Sequence, residues 1–292
     1  MATVSIVTGA NSGIGRATAI HLAANGHEVY GTVRDVGRAG KLQSMAADAG
    51  VEVQLVELDV ADDGSVRQGI ASVIERAGRV DVLVNNAGVG SNAVVEETTT
   101  AALLEVMNVN LCGGVRCAQA VLPTMRAQGA GAIVNITSVT GRFAAPAQAP
   151  YVASKWAFEG LSEALAFEVA PFGIRVAIIE PGVTKSAIFA KNVESPNGSG
   201  AYDAHYRRLF EFYGAGYASA TDPFEVAAIV LEAATTDQPK LRWACSWGGP
   251  EIIDGRAEMT DEEFVAMGTL DDDEAYRAAW LKRFGLDIPP LP

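Results

Sequence analysis

Apolar positions along this chain follow two alternating rhythms. Short, nearly continuous apolar runs rich in Val and Ile recur at 3–8, 28–33, 52–57, 81–85, 131–137 and 174–180, with a shorter one near 241–245. Between them lie longer amphipathic stretches near 14–25, 40–49, 63–77, 100–127, 150–170 and 223–235. The first kind reads as strand and the second as helix. Strands that alternate with helices pair in parallel through right-handed crossovers, which predicts an α/β fold: a doubly wound parallel sheet with helices on both faces. Strands covered on both faces need no polar side, and Ile133-Val134-Asn135-Ile136 and Val176-Ala177-Ile178-Ile179 are almost wholly apolar. In open sheets of this kind, ligands collect beyond the carboxyl ends of the strands.

Local signals mark where these elements stop. Asp222-Pro223-Phe224-Glu225 reads as an N-cap, a proline at the first helical position and a glutamate near the first turn. It closes an irregular region, 186–221, too long for a plain connection and carrying Ile188, Phe189, Tyr202, Tyr206, Phe210, Phe212 and Tyr213. Tyr206, Phe210 and Tyr213 share one helical face, which serves either to pack on the body or to line a substrate pocket. Residues 192–200, with Pro196, Asn197 and two glycines, are the expected mobile tip. Further on, Thr260-Asp261-Glu262-Glu263 is a capping box, opening a helix that runs toward Phe284 with or without a break at Gly268. No linker, repeat or low-complexity tract divides the chain. One domain is therefore expected, 1–250 with its substrate loop at 186–221, and 251–292 as a C-terminal extension of that same domain.

Composition narrows the classes. A chain of 292 residues with 49% apolar content can bury a large core. No apolar stretch reaches the roughly 18 residues of a membrane span. Met1 leads almost directly into the first strand, which leaves no signal peptide and makes the cytoplasm the expected compartment. A net charge of −13 argues against nucleic acid, which requires a basic stripe. The acidic runs Asp261-Glu262-Glu263 and Asp271-Asp272-Asp273-Glu274 lack the alternation and glycine of a calcium loop and read as helix starts or a solvated face. Cys112, Cys117 and Cys245 are expected to be reduced, and His21, His27 and His205 have no ligand spacing, so no metal is expected.

Two motifs carry chemistry. After the first strand comes Thr8-Gly9-Ala10-Asn11-Ser12-Gly13-Ile14-Gly15, which then opens a helix. Strand, glycine turn and helix N-terminus make a dinucleotide-binding start of the Rossmann type, because glycines let backbone N–H groups approach a pyrophosphate. The second motif is Tyr151-Val152-Ala153-Ser154-Lys155, which places a phenol and an ammonium one helical turn apart. A neighbouring cation favours the phenolate and lowers the pKa of a tyrosine. Ser138 stands thirteen residues upstream.

Together with Asn85-Asn86-Ala87-Gly88 and Pro181-Gly182, these motifs resemble the short-chain dehydrogenase/reductase superfamily in its order and spacing from residue 3 to about 250. The resemblance implies a catalytic set of Asn110, Ser138, Tyr151 and Lys155. Tyr151 exchanges a proton with the substrate oxygen, Lys155 lowers the Tyr151 pKa and holds the nicotinamide ribose, Ser138 orients the substrate, and Asn110 holds a relay water. For the cofactor it implies Thr8, Gly9, Asn11, Ser12, Gly13, Ile14 and Gly15 at the phosphates, Asp59 and Val60 at the adenine, Asn86, Ala87 and Gly88 along the sheet edge, and Pro181, Gly182 and Val183 at the nicotinamide. Thr184 or Ser186 supplies a further hydroxyl, which the shifted spacing after Pro181-Gly182 leaves open between them.

After the second strand the chain reads Val33-Arg34-Asp35, with no acid at the strand end. A guanidinium grips a phosphate monoester, so Arg34 favours NADP(H), helped by Ser12 or Arg38. NAD(H), with Asp35 on the ribose, is the less favoured alternative.

Residues 29–35 and 158–172 are similar to hydroxysteroid and retinol dehydrogenases. With Phe143 and Gln148 as pocket candidates, the expected activity is NAD(P)-dependent interconversion of a secondary or bulky hydrophobic alcohol and its carbonyl. The family resemblance also implies a homodimer or homotetramer built through the helices near 100–127 and 150–170. The competing reading is a catalytically silent dinucleotide-sensing protein, although such a protein is expected to lose the Tyr or Lys that stand here. Epimerases of the extended branch begin G-x-x-G-x-x-G, and no G-x-S-x-G elbow surrounds Ser138 to suggest a hydrolase.

Overall fold

Seven strands build one sheet: β1 (Thr3–Val7), β2 (His27–Val33), β3 (Gln54–Glu57), β4 (Val82–Asn85), β5 (Gly131–Ile136), β6 (Ile174–Pro181) and β7 (Arg242–Cys245). The structure is a computed structural model and describes residues 2–186, 196–238 and 240–291. The strand order is β3-β2-β1-β4-β5-β6-β7, and every pairing is parallel. The chain winds outward from β1 in one direction and from β4 in the other. The sheet therefore has its switch point between β1 and β4, where a crevice opens at the strand ends. The expected doubly wound α/β fold is present.

Helices α1 (Gly13–Ala24), α2 (Gly40–Asp48), α3 (Asp63–Ala77), α4 (Thr100–Met107), α5 (Gly113–Gln128) and α6 (Ala149–Val169) connect the strands. Adjacent strand residues belong to opposite layers, because side chains alternate across a sheet. Val7, Val29, Val84 and Val134 join Leu22, Val226 and Val230 in one core layer. Their neighbours Ile6, Tyr30, Leu83 and Ile133 join Ile70, Val73, Val121 and Met125 in the other.

The helix expected over 100–127 is present, with one widened turn inside it. Between α4 and α5, Asn108–Cys112 forms a wide π-type turn. Packing just beyond it is close. A Cβ on Gly113 would sit 2.8 Å from Val60 Cβ, and one on Gly114 would sit 2.6 Å from the Phe158 ring. The turn carries Asn110 into the interior.

The region 186–221 contains helix α7 (Asp203–Ala218), followed by α8 (Pro223–Thr235). The start of α8 has the expected capping box of Asp222 and Glu225. Ile188 and Phe189 lie outside the described residues, as do the first positions of the expected tip. Its described end is held by Glu97, whose carboxylate accepts from Gly198 N at 2.9 Å and Ser199 N at 3.0 Å.

The tail folds into α9 (Gly249–Ala257), α10 (Asp261–Met267) and α11 (Asp273–Phe284). The Thr260–Glu263 capping box is present and the chain does break after Met267. Asp272 caps α11, so both acidic runs sit where helix N-termini favour carboxylates. Asp273 also pairs with Arg207 at 2.6 Å and Arg208 at 2.8 Å, which ties α11 to α7. Val139, Phe143, Ile252, Tyr276, Trp280, Phe284 and Ile288 form a third core cluster between the tail and the turn after β5.

Candidate active site

The glycine loop comes first. Gly9 and Gly13 have φ of +67° and +52°, a conformation that side chains resist. A Cβ on Gly15 would fall 2.2 Å from Asn86 Nδ2 and 2.6 Å from Gly9 O. Thr8 and Asn86 lock this loop to the end of β4. Thr8 Oγ1 accepts from Asn86 N at 2.9 Å and Ala87 N at 3.0 Å, while Asn86 Nδ2 donates to Thr8 O at 2.9 Å. Ser12 precedes α1 with extended backbone and makes no side-chain cap, and α1 has no acid in its first turn. Its leading N–H groups thus face an open cradle suited to a phosphate anion.

Two hydroxyls were candidates for the far wall of that cradle. Thr184 is buried and hydrogen-bonds Ser246 Oγ at 2.8 Å. Ser186 instead stands over the loop, its Cβ 3.0 Å from where a Cβ on Gly13 would lie. Pro181 ends β6, and Gly182 and Val183 pack against the backbone of Trp247.

At the end of β2, Asp35 Oδ1 accepts from Gly37 N at 2.9 Å and caps the short turn Val36–Arg38. Asn11 Nδ2 donates to Arg38 O at 3.1 Å, drawing that turn toward the glycine loop. Arg34 is exposed and makes no hydrogen bond or ion pair among the described residues. Asp59 Oδ1 accepts from Ala61 N at 2.9 Å in a tight turn after β3, and Val60 is buried against Gly113. Gly88 lies beside Asn110, whose Oδ1 is 3.2 Å from the position of an added Cβ.

The reactive groups meet at the end of β5. Ser138 opens a short turn, Val139–Gly141; its Oγ accepts from Thr140 N at 3.2 Å and donates to Pro181 O at 3.4 Å. Tyr151, in the first turn of α6, faces Ser138, whose hydroxyl pulls the phenol pKa down. One turn later Lys155 is buried; its Nζ donates to Ile136 O at 3.0 Å and lies 5.7 Å from the centre of the Tyr151 ring. Burial pushes the Tyr151 phenol up to about 12, against the pull of Ser138. Burial also brings the Lys155 ammonium down to about 8, against the field of Glu159. The sequence argument had Lys155 depress the phenol; here burial sets the net direction, which is upward, and the opposing pull comes from Ser138.

Asn110 is braced on all sides. Its Oδ1 accepts from Val89 N at 2.8 Å, and its Nδ2 donates to Val89 O at 2.9 Å and Ser154 Oγ at 3.0 Å. Both amide protons are engaged, so its side chain clamps the loop after β4 to α6.

On the far side of the turn that follows Ser138 lies an apolar cavity, lined among others by Val139, Phe143, Gln148, Leu209, Phe212 and Trp280. Phe143 and Gln148, expected here, are here. Tyr206 and Tyr213 turn toward the body. Tyr206 Oη accepts from Val94 N at 3.2 Å, and Tyr213 Oη donates to Asn92 Oδ1 at 2.9 Å. Of the two uses weighed for that helix face, packing holds for these tyrosines, while Leu209 and Phe212 of the same helix meet the cavity. Sequence reasoning missed the part of the tail in this wall, Tyr276, Trp280 and Ile288. It also missed Glu159, although the spacing Tyr151, Lys155, Glu159 extends one helix face by a further turn.

Among known proteins, the short-chain dehydrogenase family model matches residues 3–197. Mouse 17-beta-hydroxysteroid dehydrogenase type 1 is 39% identical over 252 residues, covering 82% of this chain and 73% of that protein. A short-chain dehydrogenase from Streptomyces avermitilis superposes with a TM-score of 0.77 at 36% identity, covering 92% of this chain and 99% of that one. An alcohol dehydrogenase from the archaeon Thermococcus sibiricus, complexed with 5-hydroxy-NADP, gives 0.70 at 28% identity over 84% of this chain and 97% of its own. The chain belongs to the short-chain dehydrogenase family and is an oxidoreductase of that family. The family cofactor is NAD(P), and the glycine cradle, closed to any larger side chain at Gly15, fits its pyrophosphate.

Proposed function

We propose that this enzyme interconverts a bulky hydrophobic secondary alcohol and its ketone, with NADP(H) as cofactor and Tyr151 as the proton donor and acceptor. The observation that carries the reading is the Tyr151 phenol facing Ser138 with Lys155 one turn behind it, while the turn that follows Ser138 lines an apolar cavity. Bound nicotinamide supplies or accepts the hydride. Ser138 donates a hydrogen bond to the substrate oxygen and turns it toward Tyr151. Tyr151 gives its proton to that oxygen in reduction and takes it back in oxidation. Lys155 carries positive charge into a buried site, where it favours the phenolate and binds ribose hydroxyls.

Aromatic and aliphatic side chains dominate the cavity, which suits a bulky apolar substrate. The likeness to a hydroxysteroid dehydrogenase supports the same class. The test is consumption of NADPH and NADH against a panel of steroid, retinoid and aryl ketones, and of the matching alcohols in reverse. Turnover of bulky ketones supports the reading. Tight cofactor binding with no turnover in either direction would replace it with a dinucleotide sensor.

NADP(H) rests on Arg34, which has no partner among the described residues at the end of β2, while Asp35 is taken up in capping. The NADP derivative in the Thermococcus sibiricus structure agrees. Arg34→Ala is expected to weaken NADPH binding by about tenfold to a hundredfold, the worth of a charge-assisted hydrogen bond or two, and to leave NADH nearly unchanged. Titration calorimetry with both cofactors checks this; an equal loss for both would remove Arg34 from the 2′-phosphate site.

Leu104 of α4 and Trp156 and Phe167 of α6 are 61%, 49% and 86% exposed. We read these two helices as the face of a homodimer or homotetramer, and the tail as part of the catalytic domain. Light scattering on the purified protein is expected to give a multiple of the 30.5 kDa chain mass; a monomer at micromolar concentration would contradict it.

A further inference from the structure

The helix face that carries Tyr151 and Lys155 continues to Glu159, one turn on and only 4% exposed. Its Oε1 accepts from Thr137 Oγ1 at 2.5 Å and its Oε2 accepts from Arg242 Nε of β7 at 3.1 Å. Lys155 Nζ donates to the carbonyl of Ile136, the residue before Thr137. Two successive turns of α6 thus grip two successive residues at the end of β5, and the next residue is Ser138, which Tyr151 meets. The turn bearing Ser138 lies directly on this pair: a Cβ on Gly141 would fall 2.8 Å from Glu159 Cγ and 3.2 Å from Lys155 O. No carboxylate pairs directly with Lys155 among the described residues. Glu159 acts on it through the field, across a desolvated interior where such fields are strong.

We infer that Glu159 is a positioning residue of the active site, whose charge keeps Lys155 an ammonium and whose bond to Thr137 fixes α6 against the strand end that bears Ser138. The inference rests on the role proposed for Lys155 beside Tyr151. The charged and titratable neighbours are few. Lys155 faces Tyr151 and Glu159 of its own helix. Glu159 faces Arg242 of β7 and Glu180 of β6; Glu163 shares Arg242, and Arg142 lies 3.5 Å from Glu180. Burial, with help from Glu159, pushes Glu180 up to about 7.

The sign follows from these charges. Glu159 raises the pKa of Lys155 against burial, so removing its charge lets the ammonium lose its proton at lower pH. In Glu159→Gln, the basic limb of the kcat/KM profile is expected about one pH unit lower. The lysine Cε resonance of the cofactor-free protein, assigned with Lys155→Arg, is expected to titrate lower by a similar amount. Arg242→Gln removes the cation facing Glu159 and is expected to move both readouts upward. Thr137→Val loses the clamp but keeps the charge; kcat is expected to fall several-fold with the limb in place. Glu180→Gln removes the titration near neutrality and is expected to leave the Lys155 titration where it was.

A folded Glu159→Gln protein with an unmoved Lys155 titration would overturn the inference. So would Arg242→Gln moving it downward, which decides the matter if Glu159→Gln does not fold. The resonance reads Lys155 without turnover, so a wild type inactive on every substrate would sink the proposed function while leaving this test standing.

Discussion

Replacing Tyr151 with phenylalanine is expected to lower kcat by about a hundredfold to ten-thousandfold, the usual contribution of a positioned acid–base group. Cofactor affinity is expected to stay within about twofold, because the ring keeps its place in the first turn of α6 and loses one oxygen. That oxygen faces Ser138, which has Thr140 N and Pro181 O as its partners and so stays in position. Steady-state kinetics paired with NADPH titration separates the two effects. A variant with undiminished kcat would remove Tyr151 from the chemistry, and one with kcat and cofactor affinity equally reduced would make it a binding residue.

The second large effect is on stability. Trp280 is 4% exposed and its ring lies 4.5 Å from Phe284, 5.6 Å from Phe143 and 5.6 Å from Phe212, centre to centre. It joins the tail, the turn after Ser138 and helix α7 in a single aromatic cluster. Trp280→Ala leaves a cavity that these elements cannot close, because Arg208–Asp273 and Glu211–Arg277 hold α7 and α11 at their present spacing. A loss of about 3–5 kcal/mol is expected. For a chain of this size that lowers Tm by roughly 10 °C, by thermal melts followed with circular dichroism. The cavity beyond the turn after Ser138 grows in the same step, so KM for a bulky ketone is expected to rise more than kcat falls. An unchanged Tm would show that the tail packs on the body without supporting it.

How far this site was legible in the sequence depends on the range of the interactions that build it. The glycine loop and the Tyr151–Lys155 pair are local patterns, set by backbone conformation and helical spacing, and the structure brings both to one sheet edge. Both capping boxes, at Asp222 and Thr260, are local as well and appear where expected. The wide turn at 108–112 was not legible. Its neighbours keep helical periodicity, and the close approach just beyond it joins Gly113 to Val60, more than fifty residues away.

The burial of Tyr151 was not legible for a similar reason. The spacing shows a cation one turn away, but the desolvation that pushes the phenol upward is a property of the assembled fold. The tail is the clearest case. Nothing local couples Trp280 to Phe143, yet together they shape the cavity. Glu159 was legible in principle, being the next step along a stripe already noticed, and only its partners Thr137 and Arg242 give it meaning.

The most direct test of the proposed chemistry follows a label. The protein is incubated with a bulky ketone that it consumes and with NADPH deuterated at the transferable position of the nicotinamide, and the alcohol is analysed by mass spectrometry and NMR. Deuterium at the carbinol carbon of a single enantiomer, absent from the Tyr151→Phe reaction over the same time, is the result predicted. An alcohol free of deuterium with either stereochemical form of the labelled cofactor, or label transfer equally fast without the Tyr151 hydroxyl, would contradict it.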